Sequence, residues 1–440
     1  MIDWIVPGSL EQATGGYAYD RHIIAGLRAC GFELRVHELP GAYPEPDAVS
    51  RAALESLLAS LTSSDPRGHS PSAQRPFVID GLANAIAPDA VISTAARRPM
   101  VAMIHHLLGD EAGDLTHIDE ECRVLASASA LVVSSAWTAR RIARVCGARG
   151  EVGDGLTATA GRSSEAVSQS MSVIEPGVEV FAPAGADALA AMEMRWQTIV
   201  PDRDGSRLTS AIRDAASAQS SPRLSEQDAQ LSWDSGQTTD RSTLDPSADR
   251  VRACEAPARR WLCVASLIPR KGHDVLLEAV GRVPGIALMV IGEPRDEAWA
   301  ATLEARAQRA DLAGRVCFVK QASNEMLAAA YATAEGFVLA SRFEGFGMVI
   351  TEAERFGLPI VTTEGGALVD TAAAAWRVPV DAVDALSAAL AVLSCDARRC
   401  AELAAAARLQ SGRRADWAMQ ARRFADVIDA ASRVRRREFR

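Results

Sequence analysis

The residues best suited to chemistry form two blocks in the second half of the chain. The first is Ala340-Ser341-Arg342-Phe343-Glu344-Gly345-Phe346-Gly347-Met348-Val349-Ile350-Thr351-Glu352. A short apolar strand (336–339) feeds a glycine-bearing turn. A helix is predicted from Met348 to Phe356, with Gly357 and Pro359 to end it. Gly345 and Gly347 let a ligand approach the backbone, and the exposed N–H groups of a helix start bind phosphate. Glu344 lies before the helix and Glu352 lies five residues past Gly347, about 7.5 Å along the axis. Carboxylates on both sides of such a turn repel phosphate itself. They suit a ligand with hydroxyl-rich groups on either side of a diphosphate, as in a nucleotide sugar. Glu344 would accept hydrogen bonds from the sugar and Glu352 from the ribose. Gly345-x-Gly347-x-x-Ile350 is a partial dinucleotide fingerprint, but it follows a late strand, which disfavours an oxidoreductase.

The second block, Trp261 to Asp274, is again a strand, a turn and a helix, with Val275, Leu276, Ala279, Val280 and Val283 marking a buried helix face. Arg270 and Lys271 sit near the helix start, where the macrodipole disfavours cations by roughly 0.3–1 kcal/mol. That cost makes sense if they meet a bound anion. In the first half, Thr14-Gly15-Gly16-Tyr17 opens the first helix, capped by Thr14. His105-His106 ends the run Val101–Ile104, at the carboxyl end of a strand, where open α/β sheets bind ligands. Tyr19 and Asp20 are placed toward an acceptor by position alone. Asp110, Glu111 and Asp114 read as an acidic helix start rather than a metal cluster.

These residues need scaffolds to position them. Trp4–Val6, Leu34–His37, Phe77–Ile79, Met100–Ile104, Ala130–Val133 and Ser172–Ile174 read as strands in the first half. Trp261–Leu267, Ala287–Ile291, Val316–Val319, Gly336–Leu339 and Pro359–Thr362 do so in the second. Helical patterns alternate with them, which predicts two α/β domains with parallel sheets. We expect a first domain over 1–180, a flexible low-complexity insertion over 181–258, a second domain over 259–412 and a crossover helix with a basic tail over 413–440. The stretch 220–250 is too polar to offset its ordering entropy.

The 440 residues carry 47 Lys and Arg against 56 Asp and Glu, a net charge of −9. A nucleic-acid partner is therefore disfavoured. No apolar run approaches the roughly 18 residues of a membrane span, and the first residues read as a strand rather than a signal peptide. A cytoplasmic location is expected. Five Arg in the last eight residues allow at most a weak peripheral membrane contact. The eight cysteines include no C-x-x-C pair and are expected to be reduced, structural thiols.

The two blocks together, Glu344/Glu352 with its E-G-F-G turn and P-R-K-G-H-D, make this chain resemble the retaining family 4 glycosyltransferases of the GT-B fold, glycosyltransferases group 1. The resemblance covers residues 1–45, 99–180 and 259–430. It implies two facing Rossmann-like domains with a cleft between them, and sugar transfer from a nucleotide-sugar donor without a metal or other cofactor. The acceptor, a small molecule, a lipid or a glycan, is left open. By this resemblance Lys271, with Arg270, would contact the donor diphosphate, Glu344 the transferred sugar and Glu352 the ribose. The amides of Phe346, Gly347 and Met348 would hold phosphate or sugar, Gly15 and Gly16 would lie near the donor phosphates, and His105 would contact the donor sugar and assist catalysis. Many members have Gly-Arg where this chain has Ala265-Ser266, and Phe318-Val319-Lys320-Gln321-Ala322 departs from their usual nucleobase loop. An inactive nucleotide-sugar-binding module and a nucleotide-sugar epimerase are the alternatives.

Overall fold

The protein is described from a computed structural model. It describes residues 1–12, 14–41, 43, 46–62, 75–112, 115–147, 171–178, 181–199 and 258–438. Two six-stranded parallel sheets account for its architecture. The first contains β1 (Ile2–Pro7), β2 (Leu34–Leu39), β3 (Phe77–Asp80), β4 (Met100–Ile104), β5 (Ala130–Val133) and β6 (Met171–Val173), in the order β2-β1-β3-β4-β5-β6. The second contains β7 (Arg259–Val264), β8 (Ile286–Ile291), β9 (Val316–Val319), β10 (Gly336–Leu339), β11 (Ile360–Thr363) and β12 (Trp376–Val378), in the order β12-β11-β10-β7-β8-β9. The strand order reverses beside β1 in one sheet and between β7 and β10 in the other. Doubly wound sheets bind their ligands at such switch points, outside the carboxyl ends of the strands.

The strands are nearly continuous apolar runs because helices cover both faces of each sheet. In the first sheet Trp4, Val6, Val78, Val101 and Val132 face one layer, packing on Tyr19, Ile23 and Leu27 of the helix Gly15–Ala29. Ile5, Ile79, Ala102, Leu131 and Val133 face the other, against Leu54, Leu58, Val91 and Ile142. Trp261, Leu288, Phe337, Val361 and their neighbours form the core of the second sheet. The terminal helix Trp417–Glu438 crosses back to the first domain. There Phe424, Ile428 and Ala431 join the layer of Trp4 and Leu27.

Two expectations need correction. The start of the stretch expected to be flexible is a helix, Ala186–Gln197, whose Met192 and Trp196 are buried in the core of the second domain. Arg260 on β7 donates to Glu193 of this helix at 2.6 Å, and Trp196 Nε1 donates to Thr333 at 3.0 Å. Residues 200–257 lie outside the described residues, as do the side chains of the Arg-rich end from 434 onward. The second correction concerns sulfur. Cys122 and Cys146 form a disulfide joining the helices Leu115–Ser127 and Ala136–Gly147, whereas Cys30, Cys263, Cys317 and Cys400 are free thiols. No described helix is long and apolar enough to cross a membrane.

Candidate active site

The two chemistry-bearing blocks meet at the β7/β10 switch point. After β7 the chain runs through a single 3-10 turn, Pro269–Lys271, into Gly272, which has φ +64° and opens the helix His273–Gly281. A side chain at Gly272 would place its Cβ 2.1 Å from the carbonyl oxygen of Ala340, so glycine is required by both dihedral and space. This approach lets Arg342 N donate to the carbonyl of Arg270 at 2.8 Å. Arg270 in turn donates to the carbonyl of Phe343 at 3.0 Å, and the guanidinium of Arg342 bridges Asp274 and Asp381 at 2.7 Å each. The loops are zipped along their backbones.

Lys271 and Glu344 face each other inside that junction. Lys271 Nζ donates to Glu344 Oε1 at 2.6 Å, and Ser341 Oγ donates to the same oxygen at 2.6 Å. Arg270 stands 4.0 Å from Glu344 Oε2. Burial alone would raise the Glu344 carboxyl, but the charges of Lys271 and Arg270 outweigh it and hold it below the ordinary carboxylate value. Glu344 is therefore an anion at neutral pH. Its backbone is fixed by Gly366 (φ +63°), whose missing side chain would strike the Glu344 carbonyl, and by Ala367 N donating to that carbonyl at 2.8 Å.

Gly347 has φ +87° and turns the chain into the helix Met348–Arg355, whose first N–H groups are orphaned and attract anions. Phe346 points inward and is buried, so a ligand meets its amide rather than its ring. Glu352 is half-buried on this helix and accepts a hydrogen bond from Tyr331 at 2.7 Å. The helix is pinned from behind by the ion pair of buried Glu354 with Arg414 at 2.6 Å.

The first domain presents its own carboxyl edge to this site. Ideal side chains at Gly15 and Gly345 would lie 3.6 Å from Met348 Sδ and 2.6 Å from the carbonyl of His105. Phe343 sits edge-on to His106 and Trp137, with ring centroids 5.6 and 5.4 Å apart. Gly15, Gly16 and His105 thus gather opposite the Glu344 turn, and the ring of His105 lies over Gly16. Tyr19 and Asp20, expected toward an acceptor, turn inward instead. Both are buried, and Tyr19 donates to the carbonyl of Ile174 at 2.9 Å. Helix periodicity explains it, because they share the face of Ile23 and Leu27. Asp110 is taken up by Arg141, at 2.6 Å.

Ser341, Tyr331, Gly366 and Asp80 escaped sequence reasoning. For Asp80 a signal existed: it ends an apolar strand, as His105 follows one.

Residues 255–410 match the family model of glycosyl transferases group 1. The match falls on the second domain. Beyond it, the chain is 30% identical over 219 residues to a GDP-mannose-dependent alpha-(1-6)-phosphatidylinositol monomannoside mannosyltransferase of Mycolicibacterium smegmatis, covering 46% of this chain and 56% of that relative. It is 33% identical over 129 residues to a D-inositol 3-phosphate glycosyltransferase of the same organism, covering 29% and 27%. The chain thus spans about half, or less, of the length of these relatives. Among solved structures, sucrose-phosphate synthase of Thermosynechococcus elongatus superposes with a TM-score of 0.64 at 18% identity, over 97% of both chains. HepE of Anabaena, in complex with UDP and glucose, does so with a TM-score of 0.60 at 14% identity, over 98% of this chain and all of that one. The two-domain architecture of this chain is the one these structures share, the GT-B fold.

Proposed function

We propose that this protein is a retaining, metal-independent glycosyltransferase that moves a hexose from a nucleotide-sugar donor to an acceptor bearing an inositol ring. The observation that carries the reading is the Lys271–Glu344 pair, held at 2.6 Å at the switch point beside a glycine-opened helix start. A donor diphosphate entering that turn takes over Lys271 and the amides of Phe346, Gly347 and Met348, and frees the Glu344 carboxylate to accept from sugar hydroxyls. Glu352 accepts from the ribose, in the place where Tyr331 already fixes its orientation. Lys271, Arg270 and the helix start supply the positive charge that stabilises the departing diphosphate. The acceptor attacks from the face the diphosphate leaves, and a leaving phosphate oxygen takes its proton. Double displacement would need a carboxylate nucleophile at the anomeric carbon, whereas in this reading Glu344 is spent on the sugar hydroxyls, with Ser341 donating to it. The inositol ring is proposed because the names of both mycobacterial relatives contain it.

The test is a mass-spectrometric screen of nucleotide sugars, with and without inositol phosphates and phosphatidylinositol, reading nucleotide release. We expect GDP-mannose to be consumed with acceptor present, and Lys271→Ala to lower turnover by about 10²–10³-fold. Calorimetry in which no activated sugar binds the purified protein would overturn the reading, and a fully active Glu344→Gln variant would remove Glu344 from its role.

A further inference from the structure

Three titratable side chains converge at the carboxyl edge of the first sheet. Asp20 comes from the helix Gly15–Ala29, Asp80 is the last residue of β3, and His105 follows β4. His105 Nε2 stands 3.4 Å from Asp80 Oδ2 and 3.8 Å from Asp20 Oδ1. One polar atom of each of the three lies within 4.8 Å of the others. Asp20 is 1% exposed and Asp80 3%. The second oxygen of Asp80 accepts from Leu82 N at 2.8 Å and is committed to capping a helix turn. Asp20 Oδ1 is buried without a hydrogen-bond partner among the described residues.

Two bare carboxylates so close in a dry place repel strongly, and a single imidazolium compensates only one of them. A proton held by the carboxyl pair removes the second charge. The neighbours offer no substitute. Arg21 spends its guanidinium on the carbonyls of Leu10 and Gln12, Tyr17 donates to the carbonyl of Pro7, and Tyr19 offers its ring edge to His105 with centroids 5.3 Å apart. His106 faces Phe343, and the second domain approaches His105 through the backbone of Gly345.

We propose that Asp20 and Asp80 are positioning residues that hold one proton between them and keep His105 a cation, so that its Nδ1 serves the proposed transfer as a hydrogen-bond donor and never as a base. This rests on the glycosyl-transfer reading for its use but not for its existence. Electrostatics point the same way. Burial lowers the His105 imidazole, yet Asp80 and Asp20 outweigh it and leave it raised. Burial and the charge of Asp80 push the Asp20 carboxyl up to about 8. With the imidazole already protonated, the acceptor's proton has to leave by the phosphate oxygen.

The experiment is histidine NMR on the free full-length chain labelled with ¹⁵N-histidine, with His105 assigned by His105→Gln. In the wild type both ring nitrogens of His105 are expected to be protonated at pH 7. The double variant Asp20→Asn/Asp80→Asn removes both carboxyls, and with them the anion, and lowers the His105 midpoint by about one pH unit or more. Asp20→Asn mimics a carboxyl that already holds its proton, so His105 stays charged at pH 7. A neutral His105 in the wild type overturns the proposal, whether or not either variant folds. So does a neutral His105 in folded Asp20→Asn, or a Zn²⁺-induced shift of its signals that EDTA reverses. No donor is needed, so failure of the transferase reading is scored separately.

Discussion

At the scale of single residues, charge placement governs both the site and its stability. His273 opens the helix after the Lys271 turn and is 1% exposed. Burial, with Lys271 nearby, lowers its imidazole to about 4. Its unfolded value is about 6.5, so between pH 6.5 and pH 4 the unfolded chain binds a proton that the folded chain refuses. The stabilising contribution is fully present above pH 6.5 and is lost as pH falls toward 4, reaching about 3 kcal/mol in all. Urea titrations across that window should show the wild type losing about 3 kcal/mol relative to His273→Met as pH falls from 6.5 to 4. A constant difference would mean that His273 is not buried neutral. The acid side of stability is thus tied to the loop that carries Lys271.

At the scale of elements, the site depends on loops approaching each other more closely than side chains allow. Gly272→Ala combines a positive φ with a Cβ placed 2.1 Å from the Ala340 carbonyl oxygen. Gly314→Ala has a similar φ of +73° and nothing within 4 Å. The second variant should cost about 1 kcal/mol, the left-handed penalty alone. The first should cost more, and it should weaken donor binding by parting Lys271 from Glu344, as calorimetry with a nucleotide sugar would read. Equal costs would show that the loop yields to the new side chain. Much of this arrangement was legible in the sequence. Met100–Ile104, Ala130–Val133, Val316–Val319 and Gly336–Leu339 form strands at their expected bounds, because each is a short apolar run bounded by breakers. β12 was missed because it is three residues with a charged Arg377 at its centre and one buried side chain. The helix Ala186–Gln197 hid in polar surroundings, although Leu189, Met192 and Trp196 carry helical spacing and are buried. The Cys122–Cys146 pairing and the Asp20–Asp80–His105 cluster join residues on separate elements. No local pattern encodes such a meeting; it exists only once the sheet order is set.

At the scale of the molecule, the terminal helix makes the first domain's stability depend on the end of the chain. Val178 pairs with Asp416 where the chain crosses between domains, and Gly177 leaves room for the backbone of Trp417. Trp417 then stacks on His22 at 4.3 Å and meets the edge of Tyr19 at 5.6 Å. Seven residues on, Phe424 is fully buried with its ring 5.2 Å from that of Trp4. Gly26 faces Ala421 so closely that a side chain there would lie 2.3 Å from the alanine Cβ, which sets the spacing of the two helices. The crossing helix therefore completes the layer that carries Tyr19 and Asp20, and with it the backing of His105. Phe424→Ala removes a fully enclosed ring and should cost about 3–5 kcal/mol. Hydrogen exchange should localise the loss: amides of β1, β4 and the helix Gly15–Ala29 lose protection, while β7, β8 and β10 keep theirs. Equal loss in both sheets would mean that the domains unfold as one unit. Loss confined to the terminal helix would mean that the first domain does not need it. In the expected case the same variant should also disturb the His105 signals, since Tyr19 lies edge-on to both Trp417 of that helix and His105.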